Sequence, residues 1–275
     1  MRIVWNIVLW VFLLLVTLVT LFPVVITIFG SFKTNIELTT GATLLPSSWQ
    51  FGNYVEAWKQ ANFSTYTKNS LFVAITVTIG TLLVSSMAAY VVHRMEFRGK
   101  KLYFGIQAFT MFVAIGAVVL RPQFELMIKL QLHNTLWGVI LILISAHAST
   151  FFILLSFMNG IPKELDEAAR IDGCSRGGTF WKIVVPLLTP GLGVSALFTF
   201  RGAWNEYLLP FVFTMSKPKL QTLTVGLANL KYGLAAASQT HLMMAGACLS
   251  ILPILIVYLF ANKSFMQMTA GSLKG

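Results

Sequence analysis

Long apolar runs alternate with short polar stretches along this chain. Residues 3–32, 69–92, 102–120, 183–200 and 242–262 hold no Asp, Glu, Lys, Arg or His, and residues 134–162 hold only His147. A membrane-spanning helix needs about 20 mostly apolar residues at a rise of about 1.5 Å each. The six runs cover 141 of the 275 residues. The pattern therefore predicts an all-α polytopic membrane protein with six transmembrane helices and both termini on one side. The first run follows Arg2 and is too long for a signal-peptide core. No small-x-small site closes it, so it reads as a retained helix whose excess length goes into tilt or the outer end. A further run, Tyr207 to Ser216, is too short to cross and contains Pro210, which suits a re-entrant or interfacial segment.

Composition agrees with the pattern. The chain is 56% hydrophobic and 11% charged, against roughly a quarter charged in ordinary soluble domains. So few charges cannot cover a globular surface, which excludes a soluble enzyme, and the apolar content excludes disorder. The formal net charge is +11. In a membrane protein that excess is first a matter of topology. With the termini in the cytoplasm, the inner segments 1–2, 93–101, 163–182 and 263–275 hold 11 Lys/Arg in 44 residues. The outer segments 33–68, 121–133 and 201–241 hold 9 in 90, so inner density is about 2.5-fold higher. Arg94, Arg98, Lys100 and Lys101 dominate the bias. Charge is no nucleic-acid signal here.

Catalytic chemistry is not visible. Cys174 and Cys248 give neither a disulfide framework nor a metal spacing. His93, His133, His147 and His241 are dispersed, and the nine acids lie in loops, so no catalytic pair and no metal site is expected. The first outer segment carries Trp49, Phe51, Tyr54, Trp58, Phe63 and Tyr66. They fit either a stretch at the membrane interface or a small packed cap.

One inner loop is built for more than connection. Residues 162–190 read PKELDEAARIDGCSRGGTFWKIVVPLLTP. Pro162 suits the first position of a helix, and Glu164, Asp166 and Glu167 complement its dipole. Leu165, Ala168, Ala169 and Asp172 share one face. Gly173 is expected to end the helix in the left-handed region, and Ser175 to cap a second short helix. Pro186 and Pro190 stand where the chain re-enters the membrane. Lys163, Arg170, Arg176 and Lys182 balance Glu164, Asp166, Glu167 and Asp172. A short, helical, charge-balanced loop reads as a docking surface rather than a solvated connector.

Glu167-Ala168-Ala169, then Gly173, then Ile183, Val185 and Pro186 resemble the EAA loop of ABC importer permeases. The departure is Val185, where leucine is usual. Trp49 to Tyr54, Asn69-Ser70-Leu71, Ser85 to Tyr90, Phe97 to Lys101, Asn134-Thr135, Trp204-Asn205-Glu206 and Thr269 to Gly275 extend the likeness. They are similar to the carbohydrate-uptake branch, and to the maltose transporter's second membrane subunit in particular. The resemblance implies the type I importer permease fold as a single domain over 1–275, with a core at about 68–262, a coupling loop at 162–186 and a tail at 263–275. It implies a multi-pass protein of the prokaryotic inner membrane. It implies partners: a second permease, so that the pair is a heterodimer, two cytoplasmic ATPases and an extracytoplasmic solute-binding protein, besides lipid. ATP and Mg would be bound by the ATPase, and no cofactor by this subunit. The sequence agrees, since no G-x-x-x-x-G-K-[ST] occurs and no inner segment could hold a nucleotide-binding domain. Glu167, Ala168, Ala169, Asp172, Gly173, Ile183 and Pro186 are then the ATPase-coupling residues. The tail is a flexible, weakly basic end for which the resemblance implies contact with the ATPase pair.

Four polar residues near or within the spans are candidates for a sugar path. His147 sits mid-span among Ser145, Ser149 and Thr150, while Gln123, Asn205 and Glu206 lie near outer ends. Each has an ordinary alternative: an interhelical hydrogen bond for His147, and pairing with Arg201 for Glu206. The pairs Ser85/Ala89, Gly191/Ser195 and Gly246/Ser250 read as close helix packing. Sugar acid and glycerol-phosphate importers share this subunit type. Arg121, Lys129 and Arg201 would suit an anion but read more simply as headgroup contacts. A secondary transporter would want ionisable groups inside the spans or broken inverted repeats, and only His147 lies mid-span.

Overall fold

The computed structural model describes residues 2–41, 43–112, 116–231 and 239–272; these contain helices, turns and loops and no strand. The chain begins with α1 (Arg2–Gly30), α2 (Asn35–Thr40) and α3 (Gly52–Gln60), followed by α4 (Phe63–Arg94) and α5 (Lys100–Phe112). A 3-10 turn at Gly116–Val119 leads into α6 (Leu120–Lys129), then α7 (Leu136–Ser145), α8 (Ala148–Asn159) and α9 (Glu164–Ile171). Next come α10 (Arg176–Thr179), a π-helical turn at Phe180–Val184, α11 (Val185–Leu187) and α12 (Thr189–Asn205). The last elements are α13 (Leu208–Thr214), a 3-10 turn at Pro218–Leu220, α14 (Leu223–Lys231) and α15 (Thr240–Ser272).

Three of these helices carry stretches long and apolar enough to cross a membrane: Trp5–Gly30, Phe63–Arg94 and Thr240–Leu259. Two bent pairs raise the number to five if each is one span: α7 with α8 at 47°, and Arg176–Leu187 with α12 at 77°. Within the apolar run at 102–120, α5 ends the described stretch at Phe112, a 3-10 turn occupies Gly116–Val119 and Leu120 opens α6, while residues 113–115 lie outside the described residues. In the tail, α15 continues to Ser272. Residues 263–270 contain neither proline nor glycine to stop it.

The described residues fall into two compact units. One comprises Met1–Tyr66 with Leu223–Pro253. In it the first outer segment folds as a packed cap. Phe32 contacts Trp49, Phe51 and Tyr54 at ring-centroid distances of 5.1 to 5.2 Å. The Asn53 amide donates to the carbonyls of Ser31 and Lys33, both at 2.8 Å. Buried Lys33 donates to the carbonyl and hydroxyl of Thr43. Trp49 and Phe51 keep much of their surface exposed, so the cap is also aromatic on its outside. Gly246 lies where a Cβ would meet the Leu227 side chain, as the small-residue pattern anticipated.

The other unit comprises Thr67–Thr222 with Ile254–Gly275. Its largest core joins the end of α4 to α8 and to the π-helical turn, through Ala89, Tyr90, Val92, Phe151, Leu154, Met158, Phe180 and Val184. Small residues allow the helices to close. Ser85 and Ala89 are fully buried. α12 packs on α8 where a Cβ on Gly191 would stand 2.7 Å from Phe157 Cγ.

Candidate functional site

The loop at 162–186 forms from its own sequence. Lys163 is the N-cap of α9, so Pro162 precedes the helix by two residues instead of opening it. The cap carbonyl accepts from the backbone N–H of Asp166 at 3.0 Å and of Glu167 at 3.3 Å. At the other end Gly173 has φ +80°. Its N–H donates to the Arg170 carbonyl at 3.1 Å, and the Cys174 N–H donates to Ala169 at 2.8 Å. These paired bonds satisfy the last carbonyls of the helix, and the left-handed residue between them is the position that glycine fills without strain. Ser175 then accepts from the Gly178 N–H at 3.2 Å and starts α10, as its sequence suggests.

Of the four residues expected to share one face of α9, three point outward and one inward. Ala169 is buried, whereas Leu165, Ala168 and Asp172 are exposed, and Ile171 is 86% exposed. Glu164 and Glu167 are exposed as well. The outward surface is therefore small and apolar with acids around it. Ile183 lies half-buried in the π-helical turn and Pro186 is exposed in α11. A π turn widens the backbone and is often found at functional positions.

What fixes this loop is a cation that the charge pattern assigned to topology. Arg94 ends α4, and its side chain is only 6% exposed. Its Nε lies 2.8 Å from Asp166 Oδ2, whose side chain is 15% exposed. Its Nη2 donates to the carbonyls of Ile161 at 2.9 Å and Pro162 at 3.3 Å. The Tyr90 hydroxyl, one turn earlier on α4, donates to Asp166 Oδ1 at 3.4 Å. The ionic contact is one of proximity: Arg94 Nε and Asp166 Oδ2 make no aligned hydrogen bond with each other. In a buried setting that proximity still matters, because both charges have left water and each is the other's compensation. A cavity of about 250 Å³ opens beside the clamp, with Lys163, Glu167, Arg170 and Arg176 among its walls. Glu96 also lines it, and the hydrogen bond from Lys100 holds that carboxyl below its ordinary range.

The four pathway candidates do not converge. His147 stands at the break between α7 and α8. Its Nδ1 lies 3.1 Å from the Ser145 carbonyl, and its Nε2 lies 3.3 Å from the Gln107 amide nitrogen. The Ser85 hydroxyl reaches the His147 carbonyl at 3.5 Å. Lipid cannot satisfy backbone groups at a broken span, and here the His147 ring meets the Ser145 carbonyl while the Ser85 hydroxyl meets that of His147. His147 thus completes the break. Asn205 folds back, its amide donating to the Arg201 carbonyl at 2.9 Å. Glu206 accepts from the Leu209 N–H at 3.1 Å, at the start of α13. Gln123 is half-buried on α6.

Only Glu206 among the four lines the cavity beside the break, a space of about 440 Å³. Its polar walls are Thr81, Ser149, Thr150 and Thr199, with Phe198 beside them. The Thr150 and Thr199 hydroxyls lie 3.3 Å apart. Thr81 is 3% exposed, and its hydroxyl has no hydrogen-bond partner among the described residues. Thr81 and Thr199 were missed in the sequence because single threonines inside apolar runs look like helix packing. Arg94 was missed because it belongs to a basic cluster. Its signal was the tyrosine one turn before it, which marks that helix face as polar.

Known proteins share both the sequence and the fold. The family described as binding-protein-dependent transport system inner membrane component matches residues 98–266. The arabinooligosaccharides transport system permease protein AraQ of Halalkalibacterium halodurans is 35% identical over 267 residues, covering 94% of this chain and 93% of that protein. The diacetylchitobiose uptake system permease protein NgcG of Streptomyces coelicolor is 33% identical over 268 residues, covering 95% and 85%. A solved structure of a bacterial ABC transporter involved in the import of the acidic polysaccharide alginate superposes with a TM-score of 0.80 at 24% identity, over 94% of this chain and 96% of that one. That likeness establishes a common fold. The chain belongs to the binding-protein-dependent transport system inner membrane components and is a multi-pass permease subunit of the ABC importer type.

Proposed function

We propose that this chain forms one half of the membrane pathway of an ATP-driven importer for a sugar or oligosaccharide, and docks a separate ATPase through the loop at 162–186. The carrying observation is the construction of α9. Its apolar residues Leu165 and Ile171 face outward while the loop beneath is clamped to α4. A surface held rigid and left uncovered suits a partner. Glu167, Ala168, Asp172 and Gly173 lie on or beside that surface, and Ala169 forms its buried support. The tail contacts the same ATPase pair. A second permease completes the pathway, and an extracytoplasmic binding protein delivers the solute. The names of AraQ and NgcG, which refer to arabinooligosaccharides and diacetylchitobiose, support an oligosaccharide as cargo. The alginate transporter, solved in complex with a pentasaccharide-bound periplasmic protein, supports delivery by such a partner.

The hydroxyl-lined cavity beside the α7–α8 break is this chain's share of the sugar path. Thr81, Ser149, Thr150 and Thr199 offer hydroxyls to a sugar, and Phe198 offers an aromatic face. Catalysis resides in the ATPase. The test is to purify the tagged chain from its host membranes and reconstitute the complex it brings down. ATP-dependent uptake of a neutral oligosaccharide, with an ATPase in the complex, is expected. Uptake that survives ATP depletion and collapses with an ionophore would overturn the reading in favour of a secondary transporter.

A further inference from the structure

We propose that Arg94 and Asp166 are positioning residues that make the docking loop and the end of α4 move as one body. When the bound ATPase displaces the loop, the pair delivers that displacement to the membrane-spanning helix. The inference rests on the docking function proposed above.

The geometry distinguishes this pair from the loop's other charges. Eight charged side chains lie between Lys163 and Lys182, and seven of them are exposed. Asp166 alone turns inward, and it meets Arg94 at 2.8 Å. Arg94 also grips the carbonyls of Ile161 and Pro162, where the chain enters the loop. A guanidinium presents several donors in a fixed plane, so one side chain serves a carboxylate and two carbonyls at once. The contact fixes both the loop's entry and its first helical turn.

A second, apolar support holds the far arm of the loop. Phe180 packs on Tyr90 at 5.2 Å, and Phe180 and Val184 are buried with Ala89 and Val92. Both supports use the last turns of α4, but they differ in kind. The apolar one tolerates small sliding, since its contacts are non-directional. The polar one is buried, pairs two charges at 2.8 Å, and adds hydrogen bonds from Arg94 to the Ile161 and Pro162 carbonyls that do depend on direction. Removing the ionic support leaves the loop attached by Phe180 and still able to dock. What it removes is the charge link between the first turn of α9 and the end of α4. The expected defect is therefore uncoupling, with assembly intact.

The experiment uses the whole reconstituted complex. Asp166→Asn keeps the size and the acceptor for Tyr90 but removes the charge. Arg94→Lys keeps the charge but loses the planar fork. With Asp166→Asn, sugar delivered per ATP hydrolysed is expected to fall about tenfold while the ATPase co-purifies at wild-type levels. Arg94→Lys should fall in between. Wild-type transport per ATP in both variants would overturn the proposal. So would loss of the ATPase from the Asp166→Asn complex, which would place the pair in docking itself. A wild-type complex that brings down no ATPase would instead defeat the docking function on which the inference stands.

Discussion

Two loops of this protein are each held by one buried cation that donates to backbone carbonyls, and the two do opposite things. Lys33 reaches Thr43, ten residues along the same loop. Arg94 reaches Ile161, 67 residues away, and ties the end of one helix to the start of another. The carboxylates differ too. Glu37 accepts from the Ser47 N–H and hydroxyl at 2.8 and 3.0 Å, both within its own loop, whereas Asp166 meets Arg94 from another helix. Lys33 closes a local fold within the cap. Arg94 spans two elements, and a change there alters how they move together. A buried cation is thus a structural part when its partners are near in sequence and a mechanical part when they are distant.

The largest expected effect breaks the distant clamp outright. Arg94→Met leaves Asp166 buried without its cation, and losing one partner of a buried pair costs about 3–5 kcal/mol. Limited proteolysis in detergent should then cut near Lys163 and Arg170 at rates well above wild type. An unchanged cleavage pattern would show that the apolar support alone fixes the loop.

Asn53→Ala makes the matching cut in the other loop. It leaves the carbonyls of Ser31 and Lys33 without their shared donor, a cost of about 1–3 kcal/mol. The cap should become protease-sensitive between α1 and α3, with transport per ATP unchanged. A fall in coupling would erase the distinction between local and distant anchors.

Gly173→Val probes the loop without touching the clamp. At φ +80° a β-branched residue pays about 1–2 kcal/mol of backbone strain. The two terminal bonds of α9 should loosen and the outward face lose its shape. Co-purification of the ATPase is the measurement, and a decline is expected while the α4 end stays protected. Full retention of ATPase would mean that the turn is dispensable for docking.

These contrasts follow what the sequence could express. Gly173 and Ser175 announced their turns because the reasons are local: one needs φ above zero, the other a side-chain oxygen beside a free N–H. The six apolar runs marked where helices would form, since length and polarity are properties of a segment. The break at His147 was not legible, because the run from 134 to 162 is apolar on both sides of it. The side chains that meet His147 at the break, Gln107 and Ser85, come from far away in the chain. Asp166 looked like a dipole partner for its own helix, because nothing local shows that Arg94 lies beneath it. The inward turn of Ala169 was hidden for the same reason. Which face of α9 is buried depends on α4.

The smallest effect concerns pH in the near loop. The N–H of Ser47 is the main cause that holds the Glu37 carboxyl below its ordinary value of 4.5, with the Ser47 hydroxyl and the charge of Lys33 adding to it. A lowered value in the folded loop means that the anion is favoured by folding. Its contribution is complete above the ordinary carboxylate range and is lost as pH falls through the lowered value. Hydrogen exchange across residues 34–48 should therefore be flat from neutral pH down to about 5, then show rising local opening relative to intrinsic exchange as the solution becomes more acidic. Glu37→Gln keeps an acceptor for Ser47 but cannot titrate, so its opening should follow pH only through the rest of the cap. Since Glu37 bonds to Ser47 within its own loop, the opening that Glu37→Gln removes should be confined to residues 34–48, and that substitution should leave the protection of the clamp at Arg94 unchanged. A change at the clamp caused by Glu37→Gln would mean that the near anchor, too, acts at a distance.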